Sequence, residues 1–238
     1  MKKTVCFISP TYNASFHLEE CYESLREQSN KNWSWVILND MSNDDTFEIA
    51  NRIAMSDERE RVIVINHDHK RFVLKGIYDY LRNYNDYSEQ IIAILDGDDA
   101  LCNENTVDLI LKEYNNNPEL DALWTAHSWD INGMNISREL PRDINPYQYP
   151  WVSSHLKTFK VSVFKKIKKE NFQDLDGNWF ERGCDQALYL PILRLSRDLK
   201  FLNEICYLYK INTKSFEFPN DNKNHKTIKL IRSRGLLN

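Results

Sequence analysis

Glycine is scarce in this chain, 6 in 238 residues, and none falls into a G-x-G-x-x-G or Walker pattern. That excludes the dinucleotide fingerprint and the P-loop, which need glycine where backbone approaches phosphate. The five cysteines (Cys6, Cys21, Cys102, Cys184, Cys206) are odd in number, scattered and without a C-x-x-C pair. They argue against a disulfide framework or a zinc ribbon and for reduced thiols. No apolar run approaches the roughly 20 residues that cross a bilayer. No secretory signal is expected, because Met1-Lys2-Lys3 leads into a short apolar stretch that meets Pro10. The expected location is cytoplasmic, with peripheral attachment to a membrane left open. Neither sign of charge dominates. A net charge of −4 and a pI near 5.9 give no global pull towards nucleic acid.

Apolar residues make up 42% of the chain and aromatics 12%, enough for one large α/β domain with a full core. Through residue 130, strand-like and helix-like patterns alternate. Strands are expected at 4–9, 35–38, 62–65, 91–95 and 122–129, with helical spacing between them. Leu18, Cys21, Tyr22 and Leu25, for example, share one helical stripe. Such alternation means βαβ units, hence a Rossmann-like, mostly parallel mixed sheet with helices on both faces in a single compact α/β domain. Beyond Ile131 the pattern changes. Residues 131–151 read as a long aromatic-rich loop, 161–169 as a helix, 171–183 as irregular, 186–197 as a helix and 201–209 as a strand. The chain from Asn220 reads as a polar, then basic tail.

The chemistry gathers at strand ends, where open α/β sheets bind ligands. Ile91 to Leu95 runs straight into Asp96, Asp98 and Asp99. Three carboxylates at the end of a buried strand repel one another, and a divalent cation relieves this. All-oxygen ligands point to Mg²⁺ or Mn²⁺, with Ca²⁺ left open. An EF-hand is excluded, since Ala100 and Leu101 stand at the fifth and sixth loop positions. Thr11-Tyr12-Asn13 and Asp40 end the first two strands. Asp40 alone also reads as an ordinary turn residue. His67-Asp68-His69 reads as a polar loop in preference to a metal pair.

Ser9-Pro10-Thr11-Tyr12-Asn13, Ile37-Leu38-Asn39-Asp40-Met41-Ser42-Asn43-Asp44-Asp45-Thr46 and Leu95-Asp96-Gly97-Asp98-Asp99 together resemble the ordered signature of family 2 glycosyltransferases with the GT-A fold. The resemblance implies that Pro10, Thr11 and Tyr12 line the nucleotide pocket and that Asp40 accepts from a uracil ring. It implies that Asp98 and Asp99 form the core of a D-x-D element reaching ribose and a Mn²⁺ or Mg²⁺ ion, with Asp96 in support. The family's Arg-Asn pair is missing from residues 69–77, and Lys70, Arg71 or Lys75 stands in as the candidate cation. Gly183-Cys184-Asp185-Gln186 resembles the late acidic motif, which makes Asp185 the candidate general base. Asp185 also suits a helix N-cap. Trp151 and His155 are candidate acceptor contacts, and His225 is a weaker candidate for the metal.

The implied reaction is metal-dependent, inverting transfer from a UDP-sugar to a hydroxyl, a glycan acceptor being favoured. An aromatic loop at 141–159 is expected to close over that acceptor. Alternatives are a nucleic-acid or protein acceptor, a sugar-phosphate nucleotidyltransferase, or an inactive nucleotide-binding module. Residues 1–130 are expected to form the donor half, 131–219 the acceptor half and 220–238 the basic tail. The oligomeric state is not legible.

Overall fold

The computed structural model describes residues 3–83, 89–211 and 222–237. Seven elements alternate first: β1 (Val5–Thr11), α1 (Leu18–Arg26), β2 (Trp33–Asn39), α2 (Thr46–Ser56), β3 (Val62–Asn66), α3 (Phe72–Asn83) and β4 (Ile91–Ile94). Then come β5 (Ala100–Leu101), α4 (Thr106–Asn116), β6 (Leu120–Trp129), β7 (Lys157–Lys160) and α5 (Val161–Phe164). The last are α6 (Cys184–Leu195), β8 (Asp198–Tyr209) and α7 (Asn222–Arg234).

The strands form one eight-stranded sheet in the order β3-β2-β1-β4-β7-β6-β8-β5. β1, β2, β3 and β4 pair in parallel, as βαβ crossovers require, and β6 pairs in parallel with β8. β7 is antiparallel to both β4 and β6, which makes the sheet mixed.

Alternation along each strand splits the core between two faces. Val5, Phe7, Ile91 and Ala93 pack with α1, α2 and α4 on one face. Cys6, Ile8, Ile92 and Ile94 pack with α3, α5, α6 and α7 on the other. Both faces are therefore covered by helices, which is why the strands read as continuous apolar runs. The five cysteines are free. Among the described residues no helix is long and apolar enough to cross a membrane.

Two expectations need correction. The helix at 161–169 is a single turn, Val161–Phe164, followed by a 3-10 turn at Lys169–Phe172. Val161 and Val163 are β-branched and Ile167 turns back into the core, so no continuous helical stripe forms. The basic tail is a packed helix, α7. Ile231 is buried, and Arg232 and Arg234 donate to main-chain carbonyls of residues 147, 149, 170, 171 and 173. Within the loop at 141–159, Tyr147 and Val152 are buried in the core.

Candidate active site

β1, β2 and β4 are parallel, so their carboxyl ends open on one edge of the sheet. There the 96–99 turn is closed by the Asp99 amide donating to the Asp96 carbonyl at 3.0 Å. Gly97 lies against the end of β1. A Cβ at this position would stand 2.6 Å from Thr11 Oγ1, so the close approach requires glycine. Asp99 is 1% exposed. Its Oδ2 accepts from the Tyr207 hydroxyl at 2.6 Å and its Oδ1 from the Lys210 amide at 2.7 Å. Burial pushes the Asp96 carboxyl up to about 7, with Asp185 and Asp98 adding to it. Burial pushes Asp99 up to about 8, helped by Asp96 and Asp98.

The turn thus holds more carboxylate than its surroundings neutralise, which is the electrostatics of a cation site. Among the described residues, no three His, Cys, Asp or Glu side chains converge as a complete metal-ligand set. Asp98 fits a hard ion as an oxygen ligand, whereas both oxygens of Asp99, expected as a ligand, are already engaged by the Tyr207 hydroxyl and the Lys210 amide.

Beside the turn is a pocket of about 300 Å³, lined by Pro10, Thr11, Tyr12, Leu38, Asp40, Lys70, Phe72 and Val73 among others. Tyr12 and Phe72 are 52% and 39% exposed. Asn13, Met41 and Phe72 hold left-handed backbone, and each either lines this pocket or adjoins a lining residue. Strained backbone of this kind collects at ligand sites.

Asp40 is buried beneath the pocket and accepts the Arg71 and Phe72 amides at 2.6 and 2.9 Å. Burial works to raise its carboxyl, but the Arg71 amide, the Lys70 ammonium and the Phe72 amide outweigh it and hold it below the usual carboxylate range. The three candidate cations separate clearly. Lys70 Nζ lies 3.3 Å from Asp40 Oδ2 and 3.0 Å from the Tyr12 ring centroid, in the pocket. Arg71 and Lys75 both pair with Asp79. Arg71 faces a neighbouring cavity instead.

A second pocket, of about 550 Å³, is lined by Asp185 with Trp129, Trp151, His155 and Tyr209. Val73, Glu181 and Arg182 line both pockets and join them. Asp185 stands in the first turn of α6, after Gly183 in left-handed backbone. Its carboxylate is 54% exposed and pairs through Oδ1 with Lys157 Nζ at 2.6 Å. Lost solvation at the cleft floor works to raise this carboxyl, but the Lys157 ammonium outweighs it and the net direction is down. His155 is buried and stacks on Tyr207 and Tyr209, with ring centroids 4.6 and 5.1 Å away.

The family model for glycosyl transferase family 2 matches residues 6–174. The chain belongs to this family. Among curated relatives, the glycosyltransferase GlyG of Streptococcus pneumoniae serotype 4 is 24% identical over 227 residues, which cover 88% of this chain and 71% of GlyG. Among solved structures, S. aureus TarS 1-349 in complex with UDP-GlcNAc superposes with a TM-score of 0.70 at 15% identity, covering 96% of this chain and 65% of TarS 1-349. Mannosyltransferase PcManGT from Pyrobaculum calidifontis, in complex with GDP-Man and Mn²⁺, gives a TM-score of 0.62 at 18% identity, covering 92% of this chain and 60% of that one. The chain therefore spans less than two thirds of these two structures. The fold is GT-A, and the chain is a glycosyltransferase.

In this glycosyltransferase the two pockets collect Pro10, Thr11, Tyr12, Asp40, Lys70, Trp151, His155 and Asp185. Arg71 and Lys75 are drawn away. His67 lies 3.4 Å from Asp40 Oδ1, while His69 is exposed beside Asp68. His225 is exposed on α7, and its neighbours Asn224 and Ile228 line the pocket that holds Asp185. Sequence reasoning missed Trp129, Tyr209, Arg182 and Lys157. Trp129 and Tyr209 end strands, a signal that was available. Lys157 carried no such signal, because no strand was read at 157–160.

Proposed function

We propose that this glycosyltransferase moves a sugar from a UDP-sugar to a hydroxyl of a glycan acceptor in a single, metal-dependent, inverting displacement. The observation that carries this reading is the shared wall of Val73, Glu181 and Arg182. It joins the pocket beside the acidic turn to the pocket that holds Asp185. The transferred sugar would lie across that junction.

Tyr12 and Phe72 offer exposed rings for a nucleobase, and Asp40 keeps lone pairs for a uracil N–H beyond the two amides it already accepts. TarS with UDP-GlcNAc supports a uridine donor, and PcManGT with Mn²⁺ supports a divalent cation. Asp98 is the favoured metal ligand, with Asp99 as the buried anchor of the turn, because both Asp99 oxygens already accept hydrogen bonds from protein. When bound, the metal supplies Lewis-acid neutralisation of the diphosphate leaving group. Lys70 adds a positive charge at the end of the donor pocket formed by Asp40 and Tyr12. Asp185 accepts the proton of the acceptor hydroxyl as its oxygen attacks the anomeric carbon and the bond to diphosphate breaks. The configuration inverts.

The residues 1–130 serve the donor and 131–219 the acceptor, although β7 lies between β4 and β6 and makes the two halves one folding unit. Trp129, Trp151 and Tyr209 present aromatic faces suited to sugar rings. Lys157 and Lys160 are buried and Arg232 and Arg234 are committed to carbonyls, which takes these four away from a nucleic-acid acceptor, while Lys165, Lys166, Lys168 and Lys169 are exposed.

The test is donor hydrolysis across a panel of UDP- and GDP-sugars with Mn²⁺ and with EDTA, read beside the Asp185→Asn variant. Hydrolysis of a UDP-sugar that EDTA abolishes supports the reading. A GDP-sugar preference, metal-independent turnover, or an Asp185→Asn variant with full transfer would overturn the corresponding part.

A further inference from the structure

We propose that Lys157 is the positioning residue of the transfer reaction. Its ammonium clamps Oδ1 of Asp185, keeps that carboxylate ionised, and assigns proton acceptance to Oδ2. This rests on the reading of Asp185 as the base.

Lys157 opens β7, inside the sheet, and its side chain is 1% exposed. Lysine is almost never buried this fully without a partner. Here its three donors have three acceptors: the Ser154 carbonyl at 2.9 Å, Asp185 Oδ1 at 2.6 Å and His155 Nδ1 at 3.4 Å. An ammonium satisfied on all three sides has a fixed direction. Asp185, by contrast, is about half exposed, and the Lys157 ammonium holds its Oδ1. A rigid, strand-borne cation supplies the orientation that an exposed carboxylate lacks.

The clamp is itself braced. His155 stacks on Tyr207, and the Tyr207 hydroxyl donates to Asp99. One chain of contacts thus runs from the base through Lys157 and His155 to the acidic turn. Burial, then Lys157, holds His155 well below the ordinary histidine range, so its neutral Nδ1 can accept from the ammonium.

Several groups face Asp185. Lys157 comes from β7, His155 from the segment before it, Asp96 from the acidic turn, Tyr209 from β8 and Cys184 from α6 itself. Asp96 and an incoming diphosphate both oppose a negative charge on the base. Lys157 is in direct contact with the carboxylate and counters them. Lys160 provides the contrast. It is equally buried in the same strand, but it binds the Pro118 carbonyl at 2.7 Å and Glu89 at 3.0 Å, outside both pockets.

The test is the pH profile of kcat/KM in Lys157→Met, read beside Asp185→Asn. Methionine matches the buried stem and the released carboxylate is half exposed, but the Ser154 carbonyl and His155 Nδ1 lose their donor, so the variant is expected to fold with reduced stability. Loss of an adjacent cation should move the acid limb up by about one to three pH units. It should lower kcat near neutral pH by about tenfold or more, with donor KM nearly unchanged. Lys157→Arg should bring the limb part of the way back. An unmoved limb overturns the proposal, whatever the loss of stability. If Asp185→Asn transfers at the wild-type rate, the base reading fails. If Asp185→Asn is inactive and the limb stays, the role of Lys157 alone fails. Should Lys157→Met not fold, ¹⁵N-lysine spectra of the wild type and Asp185→Asn decide. The Lys157 ammonium signal should shift while that of Lys160 stays, and a Lys157 signal indifferent to Asp185→Asn overturns the clamp.

Discussion

The Tyr207 hydroxyl donates to Oδ2 of Asp99 at 2.6 Å and ties β8 to the acidic turn after β4. The two residues lie more than a hundred positions apart in sequence. Asp99 is buried, so the hydroxyl satisfies an oxygen that water cannot reach. Tyr207→Phe should therefore cost about 1–3 kcal/mol of stability, the penalty of an unmet buried acceptor. It should also weaken UDP–Mn²⁺ binding, since the turn loses its anchor. Denaturant unfolding and calorimetry read the two effects separately.

Gly97 gives a sharper version of the same dependence. A Cβ there would meet Thr11 Oγ1 at 2.6 Å and Thr11 Cγ2 at 3.1 Å. Thr11 is buried and β-branched and cannot swing away. Gly97→Ala should cost about 1–3 kcal/mol as overpacking and should displace the carboxylates from the donor. Thr11→Ala removes both clashing atoms, so the Gly97→Ala, Thr11→Ala double variant should recover stability relative to Gly97→Ala alone. A double-mutant cycle by thermal melting measures the coupling.

These contacts mark the boundary of what the sequence disclosed. Asp96, Asp98 and Asp99 were legible because a buried strand ran directly into them, and Asp40 because it ended the second strand. Lys75 with Asp79 was legible in principle as a pair one helical turn apart. Lys157 was not, because its partner is set by β7 inserting antiparallel between β4 and β6, a long-range pairing with no local signal. The α7 helix was hidden for a different reason. Ile231 is its one buried residue among those described, so the segment carries almost no apolar stripe.

The acidic turn also fixes a pH dependence. Asp96 at about 7 and Asp99 at about 8 both lie above the ordinary carboxylate value of 3.8. A carboxyl raised by folding binds its proton more tightly in the folded chain than in the unfolded one. The stability it contributes is complete below the ordinary value and is lost as pH rises through the folded value. Metal-free protein should therefore melt several degrees lower at pH 8.5 than at pH 6, each 1 kcal/mol being worth roughly 2–4 °C at this size. A divalent cation binds the ionised turn, so Mn²⁺ should raise the melting temperature more at pH 8.5 than at pH 6. Equal stabilisation at both values would place the metal away from these carboxylates.

For the three candidate cations the geometry predicts unequal effects. Lys70 Nζ touches the Tyr12 ring face and lies against Asp40, while Lys75 is held by Asp79. Lys70→Ala should weaken UDP binding by roughly tenfold, about 1.4 kcal/mol. Lys75→Ala should change it by less than about twofold, in line with the small worth of a partly exposed helical pair. Titration of both variants with UDP and Mn²⁺ separates them. The reverse order would move the missing cation to Lys75.

The last helix packs against the pocket that holds Asp185. Arg232 donates through Nη1 to the carbonyls of Tyr147 and Tyr149 at 3.1 and 2.7 Å, and through Nε to Gln186 Oε1 at 2.7 Å. It thereby joins α7 to the wall that carries Trp151 and to the residue beside Asp185. Asn224 and Ile228 of α7 line the same pocket, and a Cβ on Gly183 would meet Ile228 Cγ1 at 3.2 Å. Arg232→Ala strips a guanidinium from two main-chain carbonyls and should cost about 2–3 kcal/mol. Because those partners shape the acceptor side, acceptor KM should rise by a larger factor than donor KM. Truncation after Asn220 removes Ile231, Arg232 and Arg234 together, so loss of turnover there reports loss of packing and says nothing of His225. His225→Ala alone tests that side chain. If it lowers Mn²⁺ affinity without changing the melting temperature, His225 serves the metal; if it changes neither, it is a solvated residue of the helix.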